Sequence, residues 1–432
     1  MERYGSILLI AMPAFLLLVL FEKWYGWKKG NDTVRNMDMI SSLSSGITNV
    51  TKDVLKLSIP ILAYPWMVIH LSLFQVKSSF LVYFIAFIVI DFAGYWVHRW
   101  SHHINMFWNR HIIHHSSEEF NLACALRQSI SGVFEWFFFL LIPAAVMGIP
   151  VIVIATITPL HLFAQFWYHT RHIGKMGFLE RIIVTPSHHR VHHAINKEYL
   201  DKNLSQILII WDKLFGTFQE EMEDVPCVYG ITRPSQTWNP IRINFQHFWL
   251  MMKDAWYTQD WKDKFLLWFK PTGYRPPDML KKFPVYKIDD VYHFNKYDTR
   301  ADPALHTWSW IQIIFTLLLL SYFFGNIGTI KEQQVAYIYI YGAFVFLQVY
   351  AFTELMDRNK YAFVWESLKN AAGIFILFYT GDWFGLQTKF GHGLLMFTAG
   401  YFILSTIVCG WFAYRFQLQE KLGSPGLANL LF

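Results

Sequence analysis

Long apolar runs constrain this chain before anything else does. Residues 6–21, 54–74, 79–97, 132–147, 151–167, 305–324, 335–352, 362–379 and 394–414 are each nearly free of charge. A helix rises about 1.5 Å per residue, so a run of about 18 residues or more crosses a hydrocarbon core of roughly 30 Å. The expected architecture is therefore an all-α integral membrane protein of about nine spans, the second run being interrupted by Lys56, Pro60 and Pro65. Composition agrees, at 54% hydrophobic and only 16% charged, where soluble domains carry about 25% charged residues.

Charge orients the spans. Lys23, Lys28, Lys29, Arg35 and Lys52 lie between the first two runs, which places that segment in the cytosol. Counting crossings from there, Arg358, Lys360, Arg415 and Lys421 also fall on the cytosolic side, against Lys331 and Lys389 opposite. The N-terminal run has no small-residue cleavage site and is expected to stay as a span. The net charge of +6 is spread out, without the basic tract that nucleic-acid binding needs. Cys124, Cys227 and Cys409 are far apart and form no CxxC pair, so neither a disulfide framework nor a thiolate metal site is expected. The organisation predicted is N-terminal membrane helices over 1–79, a catalytic core over 80–250, a cytosolic or interfacial segment over 251–304, and a four-helix membrane region over 305–432. Trp249, Trp256, Trp261 and Trp268 are expected to lie on the membrane interface.

The chemistry lies in histidines. His98 and His102 are four apart, while His111, His114 and His115 follow an i, i+3, i+4 pattern that aims imidazoles from one helix face. His189, His192 and His193 repeat that pattern, and His169 follows the fifth run. Runs four and five form a hairpin turning at 147–150, which returns the chain to the side where the first cluster emerges. Nine imidazoles at one membrane face can hold two metal ions and leave coordination open. Imidazole suits iron, zinc and copper, and zinc, being d10, cannot supply redox chemistry. Isolated histidines such as His70, His161, His247 and His392 are read as hydrogen-bonded or interfacial residues. His103 and His188 adjoin the candidate ligands but turn roughly 100° away on a helix, which suits a supporting role as well as ligation. Asp91 lies two helical turns before His98 inside an apolar run, where a carboxylate is costly, and is expected to accept a ligand N–H. Glu118, Asn121 and Asn203, with Arg127 and Gln128, are further polar candidates around the histidines, with ordinary capping as the alternative.

The boxes 98–102 (HRWSH), 111–115 (HIIHH) and 189–193 (HRVHH) resemble those of the membrane-bound fatty acid hydroxylase and sterol desaturase superfamily. Within it the chain looks most similar to the alkylglycerol monooxygenase group, through Asp91–Phe92, 114–118 (HHSSE), 125–129 (ALRQS), 165–167 (QFW), 185–193 (TPSHHRVHH), 201–203 (DKN), 209–216 (IIWDKLFG) and 228–232 (VYGIT). The likeness is dense from about residue 80 to residue 248. The resemblance implies that the nine histidines bind a non-haem diiron centre facing the cytosol. It further implies O2-dependent hydroxylation of a lipid drawn from the bilayer, with O-alkyl cleavage of an ether lipid to an aldehyde and a glycerol product. The chain departs from the group's pattern at His103, where a glutamate is expected, and at Arg171, where an acidic residue is expected.

No haem, flavin or dinucleotide fingerprint is visible, so electrons are expected from a separate protein or a reduced pterin such as tetrahydrobiopterin. The membrane expected is the endoplasmic reticulum in a eukaryote or the inner membrane in a bacterium. Two other readings stay open: a sterol or fatty-acid desaturase or hydroxylase with the same boxes, and a metal-binding membrane transporter or sensor. The second conflicts with histidines placed at the ends of spans rather than along a conduction path.

Overall fold

The computed structural model describes residues 2–55, 57, 59–132 and 137–421. Helices α1 (Glu2–Lys29), α2 (Asn36–Val54), α3 (Ile59–Leu71), α4 (Phe80–His103) and α5 (Asn105–His115) come first. The middle holds α6 (Ile142–Val146), α7 (Val151–Phe163), α8 (Pro186–His193), α9 (Ile210–Phe215), α10 (Pro240–Tyr257), α11 (Trp261–Leu266) and α12 (Pro277–Lys282). The C-terminal region comprises α13 (Pro303–Gly325), α14 (Ile327–Gln333), α15 (Val335–Met356), α16 (Ala362–Thr380), α17 (Leu386–Phe390) and α18 (His392–Lys421). Strand pairing among the described residues is limited to isolated bridges, Ile104 with Pro271, Ile183 with Leu208 and Ala194 with Tyr229.

Among the described residues, five helices are long and apolar enough to cross a membrane: Gly5–Lys29 of α1, α4, α13, α15 and His392–Gln419 of α18. The other four expected runs take different forms. Run 54–74 contains α3, and run 151–167 contains α7, each of 13 residues. At 1.5 Å per residue such a helix is roughly 20 Å long, short of a hydrocarbon core. Run 132–147 has a 3₁₀ turn at Phe137–Leu141 followed by the five-residue α6, and its residues 133–136 lie outside the described residues. The turn expected at 147–150 is present, between α6 and α7. Run 362–379 becomes α16, which buries Glu366 and Lys369. Apolar composition alone does not separate a spanning helix from a short one packed inside the protein.

Two apolar cores organise the helices. One gathers α3, α4, α6 and α7, and a larger one joins α1, α2, α13, α15 and α18. Helix α2 is polar yet buried, with Ser41, Ser42, Ser44, Ser45 and Thr48 all inaccessible. Its hydroxyls are satisfied locally: Ser44 Oγ donates to the Ile40 carbonyl at 2.7 Å and Thr51 Oγ1 to that of Ile47 at 2.7 Å, while Ser41 Oγ reaches the Trp238 carbonyl at 2.7 Å. In the C-terminal bundle, Glu366 Oε1 accepts from Lys369 Nζ at 2.5 Å, from Gln312 Nε2 at 3.0 Å and from Ser405, which fastens α13, α16 and α18 together. Gln348 Nε2 donates to Gln312 Oε1 at 3.1 Å and brings in α15. A buried pair of this kind fixes helix register rather than adding much net stability.

Candidate metal centre

Three stretches of helix deliver eight of the nine histidines, and His169 lies in the segment after α7. Ser79 caps α4, accepting from the Val82 N–H, and the helix carries His98 and His102 at its C-terminal end. One residue later α5 begins, bearing His111, His114 and His115. Helix α8 starts with Pro186 at its first position behind a Thr185 cap, which suits the missing proline N–H. Its eight residues are all buried, including His189, His192 and His193.

The rings separate into two groups. His98, His102, His111, His115 and His192 form one and His114, His169, His189 and His193 the other, the candidate ligand atoms in each lying within 4.8 Å of one another. The five rings of α4 and α5 therefore do not share one focus. On α5, His111 and His115 are one turn apart and face the first group, whereas His114 projects between them to the second. Helix α8 divides likewise, with His189 and His193 on one side and His192 on the other. The groups abut, since the His115 and His193 rings stack 4.3 Å apart.

Tautomers follow from what the outer nitrogens touch. A carbonyl oxygen can only accept, so Nδ1 carries the proton in His98 toward Leu204 O at 2.7 Å and in His192 toward Lys202 O at 3.0 Å. His114 Nδ1 donates to Arg127 O at 3.2 Å and His169 Nδ1 to Gln165 O at 3.0 Å. His102 Nδ1 meets Asp201 Oδ1 at 3.1 Å. The Nε2 lone pairs consequently point inward and face one another: His98 to His111 at 2.8 Å, His102 to His115 at 3.2 Å and His169 to His114 at 3.4 Å. His192 Nε2 is buried and has no partner among the described residues. Burial, followed by the neighbouring rings, holds His111, His115, His189 and His193 well below the ordinary imidazole range. Burial takes His114 down to about 4. Neutral, convergent imidazoles, five of them anchored through Nδ1, are the ligand chemistry of a metal site, and each nitrogen-rich group could hold a metal ion.

The remaining candidates lie outside both groups. Asp91 does not accept a ligand N–H: it takes the His161 ring at 2.8 Å, Trp211 Nε1 at 2.8 Å and the Ile207 and Leu208 N–H groups at 3.0 and 3.1 Å. It thereby holds the segment whose Leu204 carbonyl orients His98. His103 is exposed and its Nδ1 donates back to Arg99 O at 2.8 Å. His188 serves the helix cap, with its Nδ1 3.4 Å from the Thr185 N–H. Glu118 Oε2 accepts from the Tyr297 N–H at 2.5 Å. Asn121 donates to Thr33 O at 2.7 Å. Asn203 donates to the carbonyls of His188 at 3.0 Å and Gln219 at 2.8 Å, bracing α8 from behind. Arg127 is buried, bonded to Asp38 at 2.7 Å and to Ser116 at 2.7 Å, which fixes the carbonyl that His114 uses.

Sequence reasoning overlooked Asp201, although it stands in the DKN motif, and Glu22. The Glu22 carboxylate accepts from Thr170 Oγ1 and from the Leu122 N–H, each at 2.6 Å, tying α1 to the residue after His169. Nothing in the local sequence pairs Glu22 with a segment so distant. At the second departure from the family pattern, Arg171 Nη1 lies 3.8 Å from Glu119 Oε2.

Comparison with known proteins agrees with this geometry. A fatty acid hydroxylase family model matches residues 83–217, which include all nine histidines. The chain is 33% identical to alkylglycerol monooxygenase of Homo sapiens over 88% of its own length and 82% of that protein. It is 37% identical to the Xenopus tropicalis enzyme of that name over 71% of this chain and 68% of the relative. The Danio rerio enzyme gives 33% identity over 72% of this chain and 68% of the relative. No solved structure matches the chain. With the histidine boxes intact and the likeness running far beyond them, this chain belongs to the alkylglycerol monooxygenase family.

Proposed function

We propose that the chain is a membrane-bound diiron monooxygenase that cleaves the O-alkyl bond of alkylglycerol-type ether lipids. The observation that carries this reading is the pairing of inward Nε2 lone pairs with outward Nδ1–H groups in two adjacent clusters. His98, His102, His111, His115 and His192 would hold one iron, and His114, His169, His189 and His193 the other. The bound iron pair supplies the redox chemistry that O2 activation needs. The chain's own part is to keep the imidazoles neutral, to fix the tautomers of His98, His114, His169 and His192 through backbone carbonyls and to exclude water with aromatic walls. Trp108 lies 5.2 Å from the His102 ring and Phe120 5.2 Å from that of His193.

The reaction takes O2, two electrons and two protons; one oxygen atom enters the C–H bond beside the ether oxygen and the other leaves as water. The resulting hemiacetal breaks its C–O bond to give a fatty aldehyde and a glycerol alcohol. Electrons come from a reduced pterin or a donor protein, and the site faces the cytosol, consistent with the lysine and arginine bias between the first two apolar runs. The nine-span topology and the four-part division of the chain belong to the same proposal.

The test is turnover. Purified protein loaded anaerobically with Fe(II) receives alkylglycerol, O2 and reduced pterin, and fatty aldehyde is measured. Aldehyde that vanishes in His114→Ala supports the reading. Oxygen uptake with another lipid and no aldehyde from alkylglycerol would overturn the substrate assignment.

A further inference from the structure

Helix α10 has two faces of opposite character. Ile243, His247, Met251 and Asp254 are buried. Across the helix, Phe245, Trp249, Met252 and Trp256 follow one another at spacings of four, three and four, and are 38%, 72%, 42% and 78% exposed. That spacing is a continuous stripe on one side of a helix. Helix α11 extends it with Trp261 at 71% and Phe265 at 67% exposed. Trp268, grouped with these residues on sequence, turns inward instead, its Nε1 donating to Lys264 O at 3.1 Å. Helix α10 is not one of the five spanning helices, and it carries Arg242, Lys253 and Asp254. Its exposed stripe therefore needs a different explanation from the lipid-facing flanks of a span.

Position supplies that explanation. Residues 268–272 hydrogen-bond onto the junction between spanning helix α4 and α5: Asn105 N–H donates to Lys270 O and Met106 N–H to Trp268 O, each at 2.9 Å, and Thr272 N–H donates to His103 O at 3.3 Å. The aromatic segment thus sits where a membrane helix stops. Lysines surround it: Lys262, Lys281 and Lys282 are exposed, Lys264 Nζ is 5.5 Å from the Trp261 ring and Lys282 Nζ 5.1 Å from that of Tyr257. Aromatic rings at the headgroup level and ammonium groups beside them are what an anionic bilayer surface binds.

The geometry points to α10 and α11 as a docking surface for anionic lipid headgroups, lying flat on the bilayer that the long helices cross. The buried face links this surface to the metal centre. His247 Nε2 donates to Asn105 O and the Phe248 N–H to Asn109 Oδ1, both at 2.9 Å, so α10 braces the helix that carries His111, His114 and His115. Lipid contact therefore fixes the depth at which those histidines sit. This inference does not depend on the reaction proposed above.

The test uses the full chain with Trp256→Cys, labelled there with an environment-sensitive fluorophore. Labelled unsubstituted protein serves as background, since Cys124 and Cys409 are buried and Cys227 is partly so. Nanodiscs of phosphatidylcholine alone, or mixed with phosphatidylglycerol, carry lipids spin-labelled near the headgroup. Expected are blue-shifted emission and quenching that rises about twofold with phosphatidylglycerol. The rise should disappear in Lys262→Glu/Lys281→Glu/Lys282→Glu while the phosphatidylcholine signal remains. Water-like emission in both discs would overturn the docking surface and leave the face to a soluble protein. Equal quenching in both discs would overturn its anionic preference. Trp249→Cys gives the same readings should the first variant fail to insert.

Discussion

The two histidine groups use the same side chain and differ in what stands behind it. In the five-histidine group, His98 and His192 lean on the Leu204 and Lys202 carbonyls, and His102 has the carboxylate of Asp201. In the four-histidine group, His114 and His169 lean on the Arg127 and Gln165 carbonyls, and among the described residues no carboxylate hydrogen-bonds to a ring. A carboxylate behind an imidazole raises its basicity and strengthens its hold on a metal. Five donors also fill more of a coordination sphere than four. The comparison separates a group of five donors with a carboxylate behind one ring from a group of four without one.

Removing one ligand from either group should have the largest effect. His114→Ala should lower bound iron from two to one per chain and reduce turnover by more than about 100-fold, since even outer partners of ligands are worth about 10–100-fold, and His192→Ala, which leaves four donors in its group, should lower both less. Equal iron content in wild type and both variants would erase the distinction between the groups. Asp91→Ala comes next. Four donors lose their acceptor at once, and unfolding should become easier by about 3 kcal/mol or more, read as a lower Tm. An unchanged Tm would remove Asp91 from the scaffold.

Asp201→Asn sharpens the comparison itself. Residue 201 has φ 57°, which asparagine tolerates, so the substitution tests charge with the backbone kept. Metal affinity should fall about 10-fold at the five-histidine group and stay constant at the other, measured by a two-site titration. Acidification of the metal-free protein should act on both groups. Burial holds the His114 pKa near 4, below its unfolded value, so its contribution to stability is complete above about pH 6.5 and declines as pH falls toward about 4. A Tm that instead rises over that interval would contradict the neutral, lone-pair assignment. The smallest effect belongs to His103→Ala, which removes an exposed side chain bonded only to its own helix and should change stability by less than about 0.5 kcal/mol with both metals kept.

Much of the site was legible in the sequence because helical spacing determines direction. All nine histidines singled out from the sequence come together in the structure, as two groups rather than one. The division of each H-x-x-H-H box between the two groups was less accessible, since it depends on where the facing helices cross. The anchors of the outer nitrogens were mostly hidden because they are backbone carbonyls, which carry no residue signature. Asp91 was recognised as costly inside an apolar run, yet its partners come from residues 161 and 207–211 and serve the scaffold instead of a ligand. The buried polar helix α2 and the short α3, α6 and α7 show the limit of reading hydropathy: a serine-rich segment can lie inside and an apolar run can hold only short helices.

The most direct measurement is an anaerobic titration of the metal-free protein with Fe(II), following bound iron per chain and its ligand nitrogens by X-ray absorption. Two equivalents bound in nitrogen-rich surroundings, reduced to one by His114→Ala, is the result predicted by two adjacent imidazole groups. Saturation at one equivalent, or binding unaffected by His114→Ala, would contradict it.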